Sequence, residues 1–469
     1  MSPSDILSSI DTYWENQIVP SLSEYIEIPA KSPAFDANWK ENGFIDKALK
    51  LVEDWIDKKN IPNLEKEILT AENRTPLLLL TLPGDLPYEV LMYGHLDKQP
   101  EMVGWDDDLD PWKAVRKGDK LYGRGGADDG YAVFSSICVI EHLLEHKTKR
   151  PNIKVAIELS EESGSEDLPY YFKNFAEKFG NPQLVICLDS GAGNYDQFWS
   201  TTSLRGLVSG VLTVNVLNEG VHSGDASGIV PSSFRIAREI LTRLEDISTG
   251  EILPEAFKAN IPQQRIEQVQ KAANALKDQV YKKFPFTDKT EPAHSSHTEL
   301  LLNQTWRAAL STTGSEGMPE IKSAGNVLRP YTSLKLSLRL PPTIDAKQAA
   351  IDLKQLLEDS PPYNASVEYH LEDAASGWNA PEVSEPVEAL IQEASQTYYK
   401  KEALARGEGG SIPFMGMIGD AFPEAQFVIT GVLGPNSNAH GPNEFIHIEY
   451  AKKLTACIFH ILSQCERLI

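Results

Sequence analysis

Residues 90–100 read VLMYGHLDKQP: four apolar side chains, a glycine, then His95 and Asp97 in a polar turn. At this length, an apolar run closed by turn residues predicts a strand buried on both faces, which is the habit of a parallel sheet covered by helices. The same form recurs at 77–82 (LLLLTL), 153–159 (IKVAIEL) and 184–188 (LVICL), with a helical stretch at 131–144. After residue 380 the rhythm resumes with a helix at 387–399, a strand at 426–432 and a terminal helix at 450–465. These runs predict an α/β fold: a mostly parallel sheet with helices on both faces.

The middle of the chain follows another pattern. In LKLSLRL (334–340) four leucines alternate with Lys335, Ser337 and Arg339, the signature of an antiparallel strand with one buried face. Strands at 208–216 and 367–371 and helices at 234–244 and 346–357 surround it. The expected organisation is one domain from 1–203 and 378–469, interrupted by a two-layer α+β domain at 204–377. Segment 252–305 is polar, partly helical at 265–284, and its path is not readable from the pattern.

With 469 residues and 41% apolar side chains, the chain can build two cores. Its formal charge of −23 argues against nucleic acid or anionic lipid as a partner, because either is repelled at long range. The N-terminus MSPSDILSSIDTYWENQIVP lacks the basic start and apolar core of a signal peptide, and no run approaches the roughly 20 apolar residues of a membrane span. Cys138, Cys187, Cys457 and Cys465 lie at no ligand-like spacing, as free thiols do in a reducing compartment. A cytoplasmic protein is expected.

The chemistry lies at the ends of the strands. His95, Glu161, Glu162 and Asp189 each follow a predicted strand, and sites in open parallel sheets form outside the carboxyl ends of strands. Asp128 and His440 lie in glycine-containing loops. A lone HxD is commonplace, a DD pair is more often a helix start, and an EE pair is usually a solvated face. Their joint order along the chain carries the signal. Two divalent ions about 3.5–4 Å apart need a shared anionic bridge and a few N or O ligands each. His, Asp and Glu without Cys suit zinc or manganese.

GHLDKQP (94–100), GWDDDLDPW (104–112), LYGRGGADD (121–129), ELSEESGSE (158–166), CLDSG (187–191), VHSGDASG (221–228), RGEGGSIP (406–413) and AHGPNE (439–444) together resemble the dinuclear metallopeptidases that include carnosine and cytosolic dipeptidases, glutamate carboxypeptidases, aminoacylases and desuccinylases. The dipeptidase branch is the nearest in pattern. The resemblance implies that Asp128 bridges two metals, with His95 and Asp189 on one and Glu162 and His440 on the other. It implies that Glu161 is the general base and that Asp97 steadies the His95 ring. The inserted domain resembles the family's lid and dimerisation domain. There His222 would reach into the other subunit of a homodimer to stabilise the oxyanion, and Asn326 would lie near the substrate. The plainer reading of His222 is a turn cap in a Ser-Gly-rich loop. Arg339, with Gly410 and Ser411, would bind a peptide's free carboxylate; its plainer reading is a solvated strand face.

One departure stands out: where the family usually has Lys after the DD pair, this chain has Gly130 and then Tyr131. The expected activity is metal-dependent hydrolysis of dipeptides or short peptides. An N-acyl amino acid amidohydrolase is the alternative, since the same water attack serves any secondary amide. A non-catalytic binding protein of the same fold would show a missing ligand or base, and none is missing.

Overall fold

The computed structural model describes residues 2–410 and 413–469, and it divides into two compact units. Unit 1 comprises Met1–Thr202, Ala380–Arg406 and Met417–Ile469; unit 2 comprises Ser203–Asn379 and Gly407–Gly416.

Unit 1 is organised by a six-stranded sheet in the order Glu65–Leu69, Leu77–Leu82, Asn152–Glu158, Glu89–His95, Leu184–Cys187, Gln426–Ile429. Glu89–His95 lies parallel to both its neighbours, and Gln426–Ile429 lies parallel to Leu184–Cys187. The four parallel strands therefore end on the same side. Leu77–Leu82, by contrast, is antiparallel to both its neighbours. Its run of buried leucines carries no mark of direction, because a strand covered on both faces looks alike either way. Its edge partner Glu65–Leu69 (EKEIL) is mostly polar and partly exposed, and the apolar pattern does not reveal it.

Helix Tyr131–Glu145 is buried along nearly its whole length, and helix Ile448–Ser463 buries twelve of its side chains. Its N-cap is His447, whose Nδ1 accepts from the Tyr450 N–H at 3.2 Å. A small three-stranded sheet pairs Lys120–Tyr122 with both Val115–Lys117 and Phe445–His447. It joins the stretch before Asp128 to the stretch after His440.

In unit 2 a four-stranded antiparallel sheet runs in the order Ala309–Glu316, Tyr331–Leu340, Gly206–Asn215, Ser366–Ala375. Leu334, Leu336, Leu338 and Leu340 face a core shared with Ile236, Ile240, Leu353 and Leu357 of two helices, Ser233–Leu241 and Ala346–Glu358. Segment 252–305 contributes helices Gln263–Leu276, Gln279–Lys282 and His297–Thr305. Arg265 in the first of these is buried and donates to Asn379 Oδ1 at 3.0 Å.

Because Leu336 is wholly buried in that core, Leu336→Ala should cost about 2–5 kcal/mol of unit 2 stability through lost burial and an unfilled cavity. Denaturant unfolding followed by fluorescence, with Trp306 and Trp378 as the reporters in this unit, measures it.

Candidate metal centre

His95 is the last residue of its strand, Glu161 and Glu162 come three and four residues after Glu158, and Asp189 comes two after Cys187. The loop after Gln426–Ile429 carries His440. Each parallel strand thus delivers a ligand-type side chain at its carboxyl end. Asp128 enters from the turn Gly126–Gly130 that leads into helix Tyr131–Glu145.

Asp128 lies between the two imidazoles. Its Oδ1 is 3.4 Å from His95 Nε2, and its Oδ2 is 3.0 Å from His440 Nε2. On the first side Asp189 Oδ2 and Glu161 Oε2 stand 3.8 and 3.9 Å from His95 Nε2. On the second side Glu162 Oε2 stands 3.3 Å from His440 Nε2. Donor atoms of His95, Glu161 and Asp189, and of His95, Asp128 and Glu162, lie within 4.8 Å of one another, close enough to share a cation. A third acidic group, Asp11, Glu15 and Glu449, already surrounds the ammonium of Lys452 at 2.5–2.7 Å.

The donor set fits a metal. His95 Nδ1 is 3.0 Å from the Asp97 carbonyl, to which it donates in the tautomer this contact assigns. Nε2 is then a buried lone pair with no hydrogen-bond partner, facing carboxylate oxygens that are themselves acceptors. Only a proton or a cation reconciles such a set. Burial opposes a charge on His95, yet Asp128, Asp97 and Asp189 outweigh it and hold the imidazole well above the usual histidine range. Burial, with Asp189 next, raises Glu161; burial, with Asp128 next, raises Glu162. Asp189 is pushed up to about 6, chiefly by burial. Asp128 goes the other way: hydrogen bonds from His440 and His95 overcome burial and hold it well below the carboxylate range.

Asp97 meets the His95 ring through its backbone carbonyl, while its carboxylate lies 3.4 Å from the same Nδ1. Its carboxylate accepts the backbone N–H groups of Glu161 at 3.1 Å and Glu162 at 2.9 Å, so one side chain sets the direction of the acid pair. Gln99 donates to Glu162 Oε2 at 2.7 Å. The departure at 130–131 is compensated locally. Any side chain at 130 would collide with the Tyr25 ring. The Tyr131 hydroxyl donates to the Leu188 carbonyl at 2.5 Å and so anchors the residue before Asp189.

Three buried charges inside the motifs escaped the sequence reading. Lys98 is fully buried, donates to the carbonyls of Tyr25, Ile26 and Ile28 at 2.8–3.2 Å, and is held by burial well below the usual lysine range. Arg124 and Glu444 form a buried ion pair at 2.5 Å. Their place in the motifs was visible, but their partners were not.

The remaining site candidates belong to unit 2. His222 pairs with Val327 across a short antiparallel ladder, and Ser223 N donates to the Asn326 carbonyl at 2.9 Å, so His222 and Asn326 lie on adjoining chain segments. His222 is exposed, and its Nδ1 accepts from Gly224 N–H at 3.1 Å, which is the turn-capping geometry. Arg339 is half-buried on the sheet face opposite the leucines. Burial, and then Arg339, lower the neighbouring Arg205 to about 10. Arg205 donates to the Gly409 carbonyl at 3.2 Å and so ties down the turn leading to exposed Gly410. Ser411 lies outside the described residues.

Residues 91–464 match peptidase family M20/M25/M40. The chain belongs to that family. It is therefore a hydrolase, and the resemblance read from the motifs is borne out. It is 27% identical to the cysteinylglycine-S-conjugate dipeptidase of Corynebacterium striatum, over 79% of this chain and 80% of the relative. It is 26% identical to the Cys-Gly metallodipeptidase DUG1 of Saccharomyces cerevisiae, over 95% of both. Its fold is similar to that of human carnosine dipeptidase 1, with a TM-score of 0.74 at 20% identity over 98% of this chain and 99% of the other.

In the metal-stripped protein Asp189 (about 6), Glu158 (about 7) and Glu444 (about 7) titrate above their unfolded values, and so does His95. A raised carboxylate binds its proton earlier in the folded chain as pH falls, and a raised histidine stabilises only below its folded value. These groups share one sign: their part of the stability in EDTA should fall as pH rises from about 5 to 8, against the opposite trend of His142, His447, His460 and Lys98, which burial lowers, and divalent metal should replace their protons. Thermal unfolding across pH with and without metal measures this: the stabilisation that metal adds should be larger at pH 8 than at 5.5, and the reverse would contradict it.

Proposed function

We propose that this chain is a metal-dependent dipeptidase. Its catalytic domain, 1–203 with 378–469, holds two divalent ions, Zn2+ or Mn2+, and its inserted domain, 204–377, serves as lid and dimerisation unit. The observation that carries this reading is Asp128, whose two oxygens face two different imidazoles, as a bridging ligand requires. His95 and Asp189 would hold one ion and Glu162 and His440 the other. Such a pair of ions, when bound, acidifies a water and polarises the carbonyl to be attacked.

The chain's own groups do the rest. Glu161 takes the proton of the attacking water and delivers it to the leaving amine nitrogen. Its backbone N–H is pinned by Asp97, which keeps the base from turning away. Arg339, with Ser411 and with Gly410 beside the Gly409 carbonyl that Arg205 ties down, would receive the free carboxylate of the peptide, a group that suits a guanidinium fork. In a homodimer each subunit's His222, beside Asn326, would stabilise the oxyanion of the other's site. The dipeptidase names of both curated relatives support the substrate class. All four cysteines are free and buried, which supports a cytoplasmic location; no helix among the described residues is long and apolar enough to cross a membrane.

Metal-stripped protein supplied with Zn2+, Mn2+ or Co2+ should cleave dipeptides in preference to N-acetyl amino acids. Cleavage of the acylated amino acids alone would move the protein to the amidohydrolase branch. Glu161→Gln should lower kcat by roughly 10²-fold or more while metal content stays intact, because only proton transfer is removed. His222→Ala should lose kcat with its metal retained, and full activity in that variant would remove the composite site.

A further inference from the structure

The two sides of the proposed centre are carried by loops far apart in sequence, and one buried guanidinium bonds across them. Arg124 is 1% exposed and Glu444 is 0% exposed. Arg124 Nη1 donates to Glu444 Oε2 at 2.5 Å, Nη2 to the Gly441 carbonyl at 2.9 Å, and Nε to the Pro100 carbonyl at 3.2 Å. Gly441 follows His440, Pro100 closes the loop that begins at His95, and Arg124 itself stands four residues before Asp128. Glu444 completes the joint: its Oε1 accepts from Gly125 N–H at 2.9 Å and its carbonyl from Gly123 N–H at 3.0 Å.

The His440 loop needs such a hold. His440 has φ 65°, in the left-handed region that side chains other than glycine seldom adopt, and so do Asn436, Asn438 and Asn443 around it. A buried ion pair is a poor stabiliser for its own sake, because desolvation offsets most of the attraction. A planar fork with three bonded edges does fix geometry, since displacing one loop breaks several bonds together.

We propose that Arg124, oriented by Glu444, is the positioning residue that sets His440 against Asp128 and thereby determines whether the second metal position fills. The inference rests on the two-metal reading above. It is tested by titrating Zn2+ into metal-stripped, full-length wild type, Arg124→Lys and the pair Arg124→Met with Glu444→Leu, using a competing chromophoric chelator, with unfolding temperature recorded in EDTA. Wild type should bind two equivalents. Arg124→Lys keeps the charge and loses the fork, so one equivalent should keep its affinity and the second should weaken about 10–100-fold, the usual cost of losing a partner behind a metal ligand. Its kcat should fall and recover with excess Zn2+, whereas KM stays near wild type.

The paired variant removes both buried charges together, so it remains foldable and decides the matter if Arg124→Lys does not fold. A second equivalent still weak in a stably folded paired variant supports positioning. Two equivalents at wild-type affinity in either variant would overturn it. Wild type that binds fewer than two equivalents would overturn the two-metal reading itself, and the positioning role with it.

Discussion

The structure depends on a concentration of buried negative charge. Asp97, Asp128, Glu161, Glu162 and Asp189 converge on two imidazoles in a buried space, and burial penalises the charges of Asp128, Glu161, Glu162 and Asp189. At an effective dielectric of 20, two like charges 4 Å apart repel by about 4 kcal/mol, which is large beside the 5–15 kcal/mol of net stability typical of a whole domain. No arrangement of these side chains relieves the repulsion by itself. Protons relieve burial and repulsion together in the metal-free protein: Glu161, Glu162 and Asp189 all rise, chiefly through burial and then through neighbouring carboxylates. Divalent ions held here would relieve it at neutral pH, and the folding energy spent on gathering the carboxylates would become metal affinity.

Much of unit 1 can be understood as the means of holding that cluster. Four parallel strands end together, so short loops bring His95, Glu161, Glu162 and Asp189 to one edge, and an eleven-residue excursion after Ile429 brings His440. A layer of polar contacts then aims them. Asp97 fixes the acid pair through two backbone amides, and Tyr131 anchors the residue before Asp189. Lys98 binds the HLDK loop to the carbonyls at the end of helix Val19–Ile26. These groups are buried and expensive to bury. Their cost is offset by complete hydrogen bonding, and what they secure is geometry.

Unit 2 is built by a different rule. Alternating leucines bury one face of its antiparallel sheet and leave the other face to polar side chains, among them Lys335 and Arg339. Burial, and then the nearby Arg339, lower Arg205 below the usual arginine range, and Arg205 is tied to backbone carbonyls of Asn303, Arg307 and Gly409. Under the proposed reading, this pair of guanidinium groups would suit an anionic ligand group.

The strands and the candidate ligands were legible because both are local signals: an apolar run of strand length, and an acid or imidazole directly after it. The direction of Leu77–Leu82 was not, since burial on both faces erases it, nor was the polar edge strand Glu65–Leu69. Segment 252–305 stayed unreadable because its helices take their stability from neighbours such as Asn379 rather than from a strong pattern of their own. Arg124, Glu444 and Lys98 stood inside recognisable motifs and still gave no sign of their work. The residue types proposed for the chemistry are determined by the sequence alone, because they follow strands whose hydrophobic runs are written locally or, for Asp128 and His440, stand in glycine-containing loops of recognisable motifs. The pairing of Arg124 with Glu444, 320 positions away, was decided only by the tertiary structure, because a buried charge takes its partner from whatever the fold brings beside it.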